Sequence, residues 1–193
     1  MSGRGPRLET ERLVLVMPLP EMAARVATYH RENREHHAPW SPVRTEMFFT
    51  ETWWRQRLTL ARSERDADSS LRLVLVAKDD PTGPVIGECN FSNFVRGAFQ
   101  ACHLGYSIDR RHEGKGLMTE ALRAAIAHAF GELNLHRVMA NYRPENVRSA
   151  RLLARLGFAP EGIARDYLFI DGAWRDHVLT SLVNAAHPGP ETG

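Results

Sequence analysis

The chain has 193 residues, 43% hydrophobic and 25% charged, with a formal net charge of +2. That is the composition of one globular domain, large enough to bury about 70% of its unfolded surface without staples. So small a cationic excess is not the footprint of a nucleic-acid binder, and no DNA partner is implied.

The two cysteines, Cys89 and Cys102, make neither a disulfide framework nor a zinc pattern and suit a reducing cytoplasm. No apolar run follows the arginines of MSGRGPRLET, so no signal peptide is legible, and stretches such as LVLVMPL are too short for a bilayer. A cytoplasmic protein with no membrane partner is the expectation. Residues 1–8 and the tail, 186–193, are Gly/Pro-rich and predicted to be loose, leaving one domain over 9–185.

RLVLVM (12–17) reads as a first strand, closed by Pro18; Pro20 suits the first turn of a helix running to about Glu35. HHAPWSP (36–42) is a loop. From Thr45 to about Arg65, Phe48, Trp54, Leu58 and Ala61 recur at helical spacing. LRLVLVAK (71–78) and PVIGECNFSNF (84–94) are strands joined by the turn DDPTG. RGAFQ leads to a third strand, ACHLGYSI (101–108). A helix ending near Gly131 follows, with Met118, Ala121, Leu122, Ala125, Ile126, Ala129 and Phe130 on its apolar face. HRVMANY (136–142) is a strand, and a helix over 147–156 starts at an Asn146 cap and stops at Gly157. FAPEGIARDYLFI and AWRDHVLTSLV are hairpin strands around Asp171-Gly172. A meander followed by a strand–helix–strand crossover predicts an α+β fold, a mixed sheet with helices packed on it.

RRHEGKG (110–116) stands between the strand 101–108 and the next helix. It lacks the third glycine of a dinucleotide fingerprint and the hydroxyl that follows a P-loop lysine, and GYSID puts Asp109 where a nucleophile elbow needs glycine. What remains is general physics. First-turn N–H groups lack intrahelical partners, the helix dipole is positive there, and glycines let an anion approach. Amides of residues 112–118 are placed to hold a pyrophosphate, with Arg111 or Lys115 for charge-assisted contacts. A glycine-rich turn with solvated charges is the plainer reading, and the loop by itself leaves both standing. NVRSARLLARLGF adds a second polar helix start, Asn146 and Ser149, after the following strand, beside the mouth of that loop.

Arg111-x-x-Gly114-x-Gly116 between strand and helix, and Asn146, Ser149, Gly157 and Phe158 in the second region, resemble the GNAT superfamily of acetyl-CoA-dependent N-acetyltransferases. FSNFVRGAFQACHLGYSI, HRVMANYRPENVRSARLLARLGF, EGIARDYLFIDGAWRDHVLTSL and APWSPVR are similar to its RimJ branch over roughly residues 8–185; enzymes of that branch acetylate the N-terminal alanine of a small-subunit ribosomal protein. The resemblance implies a mixed, mostly antiparallel twisted sheet with helices on both faces, and acetyl-CoA as cofactor with coenzyme A as product. It implies that strands 101–108 and 136–142 splay apart and admit the pantetheine arm. The Ile108 amide would polarise the thioester, and His112, Gly114, Gly116, Leu117 and Met118 would give amides to the pyrophosphate. Asn141 and Asn146 would contact the cofactor, and Ser149 would face its sulfur.

A tyrosine common in the family's second helix is replaced by Leu153, which makes Ser149 the expected proton donor. Cys102 stands where some members carry a glutamate, leaving Glu88, Asp166 or a water relay as candidates for the base. The histidines show no H-x-x-x-H pattern with a partner carboxylate, and no metal is expected. Trp40 and Trp174 are either cleft walls or buried core. The implied partner is a protein N-terminus, from a ribosomal protein, with ribosome or rRNA association and a monomer or homodimer left open. Two other classes stay open: a small-molecule amine acetyltransferase on the same fold, and an RNA-binding assembly factor using Arg143, Arg148, Arg151, Arg155 and Arg165.

Overall fold

Alternating apolar residues give the central strands two different faces, and the helices divide between them. In the computed structural model, which describes residues 5–189, eight strands form one sheet: β1 (Arg7–Glu9), β2 (Leu13–Val16), β3 (Leu71–Ala77), β4 (Gly87–Val95), β5 (Ala101–Ile108), β6 (Arg137–Tyr142), β7 (Ala159–Ile170) and β8 (Ala173–Val183). Their spatial order is β1-β2-β3-β4-β5-β6-β8-β7, antiparallel except where β5 meets β6. That parallel pair is the product of the one crossover, through helix α4 (Leu117–Gly131).

On one face Leu71, Leu73 and Leu75 of β3, Cys89 and Phe91 of β4, and Cys102 and Leu104 of β5 pack with the Ala/Leu stripe of α4 and with Leu153 of α5 (Val147–Arg155). On the other, Val74 meets Val26 of α1 (Ala23–Glu32) and Trp54 and Leu58 of α3 (Glu51–Asp66). Each Val, Leu or Phe among them contributes about 1.5–3 kcal/mol when fully buried. A one-residue slip would exchange the faces, so burial on both sides locks the register. It follows that Arg72, Glu88, Asn90 and Ser107, on alternate positions of β3, β4 and β5, share the α1/α3 face.

Three expectations are corrected. Arg7 and Leu8, placed in the loose segment 1–8 by composition, form β1 with Glu9 against β2; residues 1–4 and 190–193 lie outside the described residues. The helix expected from Pro20 to about Glu35 begins as a 3-10 turn, Pro20–Met22, and is interrupted at Asn33, after which α2 (Arg34–His37) starts. The buried Asn33 side chain donates to Tyr29 O at 2.9 Å and accepts from Arg110 N at 3.0 Å, and this use of its amide favours leaving the helix there. The helix expected from Thr45 likewise opens as a 3-10 turn, Glu46–Phe49, and α3 starts only after Thr50, whose hydroxyl accepts from Trp53 N at 3.3 Å. Asn146 caps α5 as its spacing suggests, accepting from Ser149 N at 3.0 Å. Gly157, at φ +89°, ends it with bonds from Gly157 N to Ala154 O and Phe158 N to Leu153 O, a Schellman pair.

Candidate active site

The turn from β5 into α4 is built around two left-handed glycines, Gly114 (φ +73°) and Gly116 (φ +77°). No atom lies within 4 Å of where a Cβ on Gly114 would stand. The N–H groups of residues 114–119 meet no backbone acceptor among the described residues. Leu117, Met118 and Thr119 form the first turn of α4, where the helix dipole is positive. Contacts from the sheet fix the turn: Arg12 donates to Lys115 O at 3.0 Å and to Glu120 at 2.7 Å, and Glu120 also accepts from Thr10 Oγ1 at 2.6 Å. A diphosphate fits such a row of unmet donors, because it brings acceptors and negative charge to both.

Of the three cations in the loop, Arg110, Arg111 and Lys115, Arg111 is held by carboxylates although its side chain is 58% exposed. Its Nε and Nη2 donate to Asp109 at 2.9 and 2.6 Å, and Nη2 also reaches Glu32 at 2.8 Å. Arg111, together with Asn33, holds the carboxyl of the 1%-exposed Asp109 well below the usual carboxylate range, against the opposing effect of burial. Lys115 is exposed and makes no ion pair among the described residues. His112 donates its amide to Asp109 O, so that group belongs to the turn itself. Glu113 ties the loop to its surroundings, pairing with His36 at 3.0 Å and with Arg148 of α5.

Beside this loop the sheet opens. β5 and β6 pair only through Ala101↔Arg137, Cys102↔Val138 and His103↔Met139. Asp109 N donates to Ile86 O at 2.9 Å, and antiparallel alternation therefore turns the backbone of Ile108 away from β4, toward the gap. The Ile108 carbonyl accepts from His37 Nε2 at 3.0 Å. On the α4/α5 face of the gap, the hydroxyl of Tyr106 is hydrogen-bonded to Ser149 Oγ. Burial pushes the Tyr106 phenol up to about 12, so it keeps its proton at neutral pH. Tyr106 was not singled out from sequence; the signal was its place in the alternation Cys102, Leu104, Tyr106 on β5. Leu153, at the family's tyrosine position, is core, and a phenol reaches the serine from the facing strand instead. Cys102 cannot serve as a base, since burial pushes its thiol up to about 12.

The α1/α3 face of the sheet carries a cavity of about 360 Å³, lined by His37, Glu88 and Ser107 and by Trp54, Arg57 and Arg72 of α3 and β3 among others. Glu88 pairs with Arg72 at 3.1 Å and lies 3.6 Å from His30. Burial alone would raise its pKa, but His30 and Arg72 outweigh it and hold the carboxyl well below its ordinary value. His37 is the other residue not picked out from sequence. Because Ile108 O accepts, Nε2 carries the hydrogen and Nδ1 is left as the basic atom. Burial moves the ring's pKa below its ordinary value, against that hydrogen bond, so it is neutral at pH 7.

Ser149, Glu88 and Asp166 are not brought together: no hydrogen bond or ion pair joins any two of them among the described residues. Asp166 sits at an irregularity of β7 with φ +47°, its N–H donating to Asp176 at 2.9 Å and its side chain exposed. Its neighbour Tyr167 accepts from Asn141 Nδ2 at 3.3 Å. Trp40 and Trp174 are 41% and 60% exposed, so neither is core. Arg143 lies over the Trp40 ring at 5.4 Å and donates to Pro39 O at 2.6 Å, and Asp171 N donates to Ser41 O, which places the 38–41 turn against the sheet's far strands. Trp174 packs on Phe169 in the outer hairpin. Of the five arginines of the basic face, Arg143 and Arg148 are thus tied within the fold, and Arg155 reaches Thr119 Oγ1 at 3.4 Å. No helix among the described residues is long and apolar enough to cross a membrane.

A family model described as the acetyltransferase (GNAT) domain matches residues 12–159. The chain is 49% identical over 176 residues to the [ribosomal protein uS5]-alanine N-acetyltransferase of Escherichia coli K12, covering 91% of this chain and 90% of that protein. The crystal structure of the ribosomal-protein-S5-alanine acetyltransferase from Vibrio fischeri superposes with a TM-score of 0.90 at 40% identity, over 95% of this chain and 99% of that one. Mycobacterium smegmatis RimJ in complex with CoA-disulfide follows at 0.87 and 28%, over 97% and 92%.

Proposed function

The chain belongs to the GNAT acetyltransferase family, and from that premise we propose that it acetylates the N-terminal alanine of ribosomal protein uS5 in the cytoplasm. It is an acetyl-CoA-dependent N-acetyltransferase. The observation that carries the site reading is the row of unmet amides at 114–119 opening beside the gap where β5 leaves β6.

Acetyl-CoA supplies an acetyl thioester; the amine nitrogen bonds its carbonyl carbon, the C–S bond breaks, and one proton must leave the amine while one reaches sulfur. The amides of Gly114 to Met118 hold the diphosphate, Lys115 adds charge, and Asn141 and Asn146 position the arm. Arg111 and His112 act by shaping the turn. The Ile108 N–H, directed into the gap, stabilises charge on the carbonyl oxygen. Ser149, with Tyr106 behind it, donates to the leaving sulfur. A model α-amino group has a pKa of about 8, so only a modest base is needed. His37 Nδ1 suits that role, neutral and bordering the cavity. Glu88, held ionised by two basic neighbours, attracts the acceptor's ammonium, which gives a proton to His37 before the neutral amine attacks.

The test is incubation of the protein with acetyl-CoA and peptides differing in their first residue, with acetate located by mass spectrometry. Acetate on the α-amino group of alanine-first peptides, and none on lysine side chains of N-terminally blocked ones, is expected. Faster acetylation of free small amines would replace this reading with that of a small-molecule enzyme.

A further inference from the structure

The cavity on the α1/α3 face carries more donors than its own residues satisfy. Trp54 is 1% exposed, yet its indole Nε1 has no hydrogen-bond partner. Arg57 donates to Glu64 at 2.8 Å through Nη2, while its buried Nη1 has none. Arg72 donates to Glu88 at 3.1 Å through Nη1, while its buried Nε has none. All three residues line the same cavity, with Arg72 lying over the Trp54 ring at 5.5 Å. Buried N–H groups without acceptors are rare and costly. His30 Nε2 and the amide oxygen Asn90 Oδ1, also in the lining, are likewise without partners, so the three unmet N–H donors outnumber the one unmet acceptor among these side chains and call for an acceptor from outside.

Charge narrows the choice. Arg34, Arg44, Arg57 and Arg72 border the cavity, whose lining holds the single carboxylate Glu88. Glu46 answers Arg34 and Glu64 answers one arm of Arg57, which leaves the lining cationic. The lining also reaches the neighbourhood of the gap, through His37, which donates to Ile108 O at 3.0 Å, and Ser107, the residue before Ile108. Asn90 is also in the lining, and its partner across the strands is the exposed Gly105, with no atom within 4 Å of a would-be Cβ. A segment with its amino group at the gap would extend along this cavity.

We propose that the floor of this cavity is a carboxylate subsite: Arg57, Arg72 and Trp54 receive an aspartate or glutamate side chain carried by the acceptor a few residues behind its α-amino group. The enzyme thereby selects N-termini followed closely by an acid. This rests on the reading of the site as one for a peptide N-terminus. A planar guanidinium and an indole N–H match the in-plane lone pairs of a carboxylate better than those of a neutral amide, and the interaction is charge-assisted.

The experiment is steady-state kinetics of the full chain with acetyl-CoA and alanine-first peptides, carrying Glu or Gln at one position from the second to the fifth. At one position the Glu peptide should show a KM lower by about tenfold or more than its Gln twin, the size of effect expected of charge-assisted hydrogen bonds, with kcat little changed. Arg57→Gln should abolish that difference, and Arg57→Lys should retain part of it. Equal KM values at every position in the unaltered protein would overturn the subsite while leaving the proposed function intact. A preference that survives Arg57→Gln in folded protein would overturn it as well. If no alanine-first peptide is acetylated, both readings fall. The Glu/Gln ratio of the unaltered enzyme needs no variant, so an unstable substitution does not remove the test.

Discussion

The hydroxyl of Tyr106 on β5 is hydrogen-bonded to that of Ser149 on α5, beside the opening between β5 and β6. One group comes from the strand before the loop and the other from the helix after the crossover, so only the folded chain brings them together. The phenol, pushed up to about 12 by burial, is a proton reservoir at neutral pH and orients the serine.

If this pair serves the leaving sulfur, Ser149→Ala and Tyr106→Phe lower kcat with little change in KM. A thiol pKa near 8.5 makes protonation only mildly helpful, which puts the loss at about 10–100-fold, the low end for acid catalysis. Because they act as one unit, the double variant loses little more than either single one. Unchanged kcat in both single variants would remove the role.

At Gly116, φ +77° is a conformation that L side chains rarely adopt. Gly116→Ala costs about 1–2 kcal/mol of strain or shifts the turn. Its expected signature is a weaker calorimetric Kd for acetyl-CoA together with a lower Tm, whereas Gly131→Ala, at the far end of α4, leaves the Kd unchanged.

His37 gives the reaction a pH dependence. Its pKa lies below the ordinary 6.5, so the neutral ring prevails at pH 7 and its loss by protonation begins only below that value. The kcat profile should therefore fall on the acid side below about pH 6.5, and His37→Gln should lower kcat and erase that limb. A limb that persists in the variant would assign it elsewhere.

Asp109 links the loop to acid stability. Its folded pKa is depressed relative to the unfolded value of about 3.9, so its contribution is present above that value and is lost as pH falls through the lower folded value. Asp109→Asn should cost about 1.5–3 kcal/mol at pH 7, the range for hydrogen bonds to a charged group. The difference from the unaltered protein should shrink below about pH 4, as read by chemical denaturation at several pH values.

The strands β5 and β6, the caps at Asn146 and Gly157, and the glycine turn were legible because each depends on local signals: alternation, a capping side chain, a left-handed residue. The break at Asn33 was not, since it depends on Asp109 and Arg110, 76 and 77 positions away. Tyr106 and His37 were missed for the same reason; each acquires its role from a partner on another element. Glu88 was found by its strand, but the two basic groups that hold it ionised come from β3 and α1. Conversely, the motif's Arg111 looked free in sequence and is spent on Asp109.

The most direct measurement of the central claim compares acetyl-CoA with S-acetylpantetheine, which carries the thioester arm without the diphosphate, by calorimetric titration of the folded chain. If the unmet amides from Gly114 to Met118 anchor the donor, acetyl-CoA binds at least about a hundredfold more tightly, as several charge-assisted hydrogen bonds require, and Gly116→Ala narrows the difference. Equal affinity for the two compounds would contradict the account.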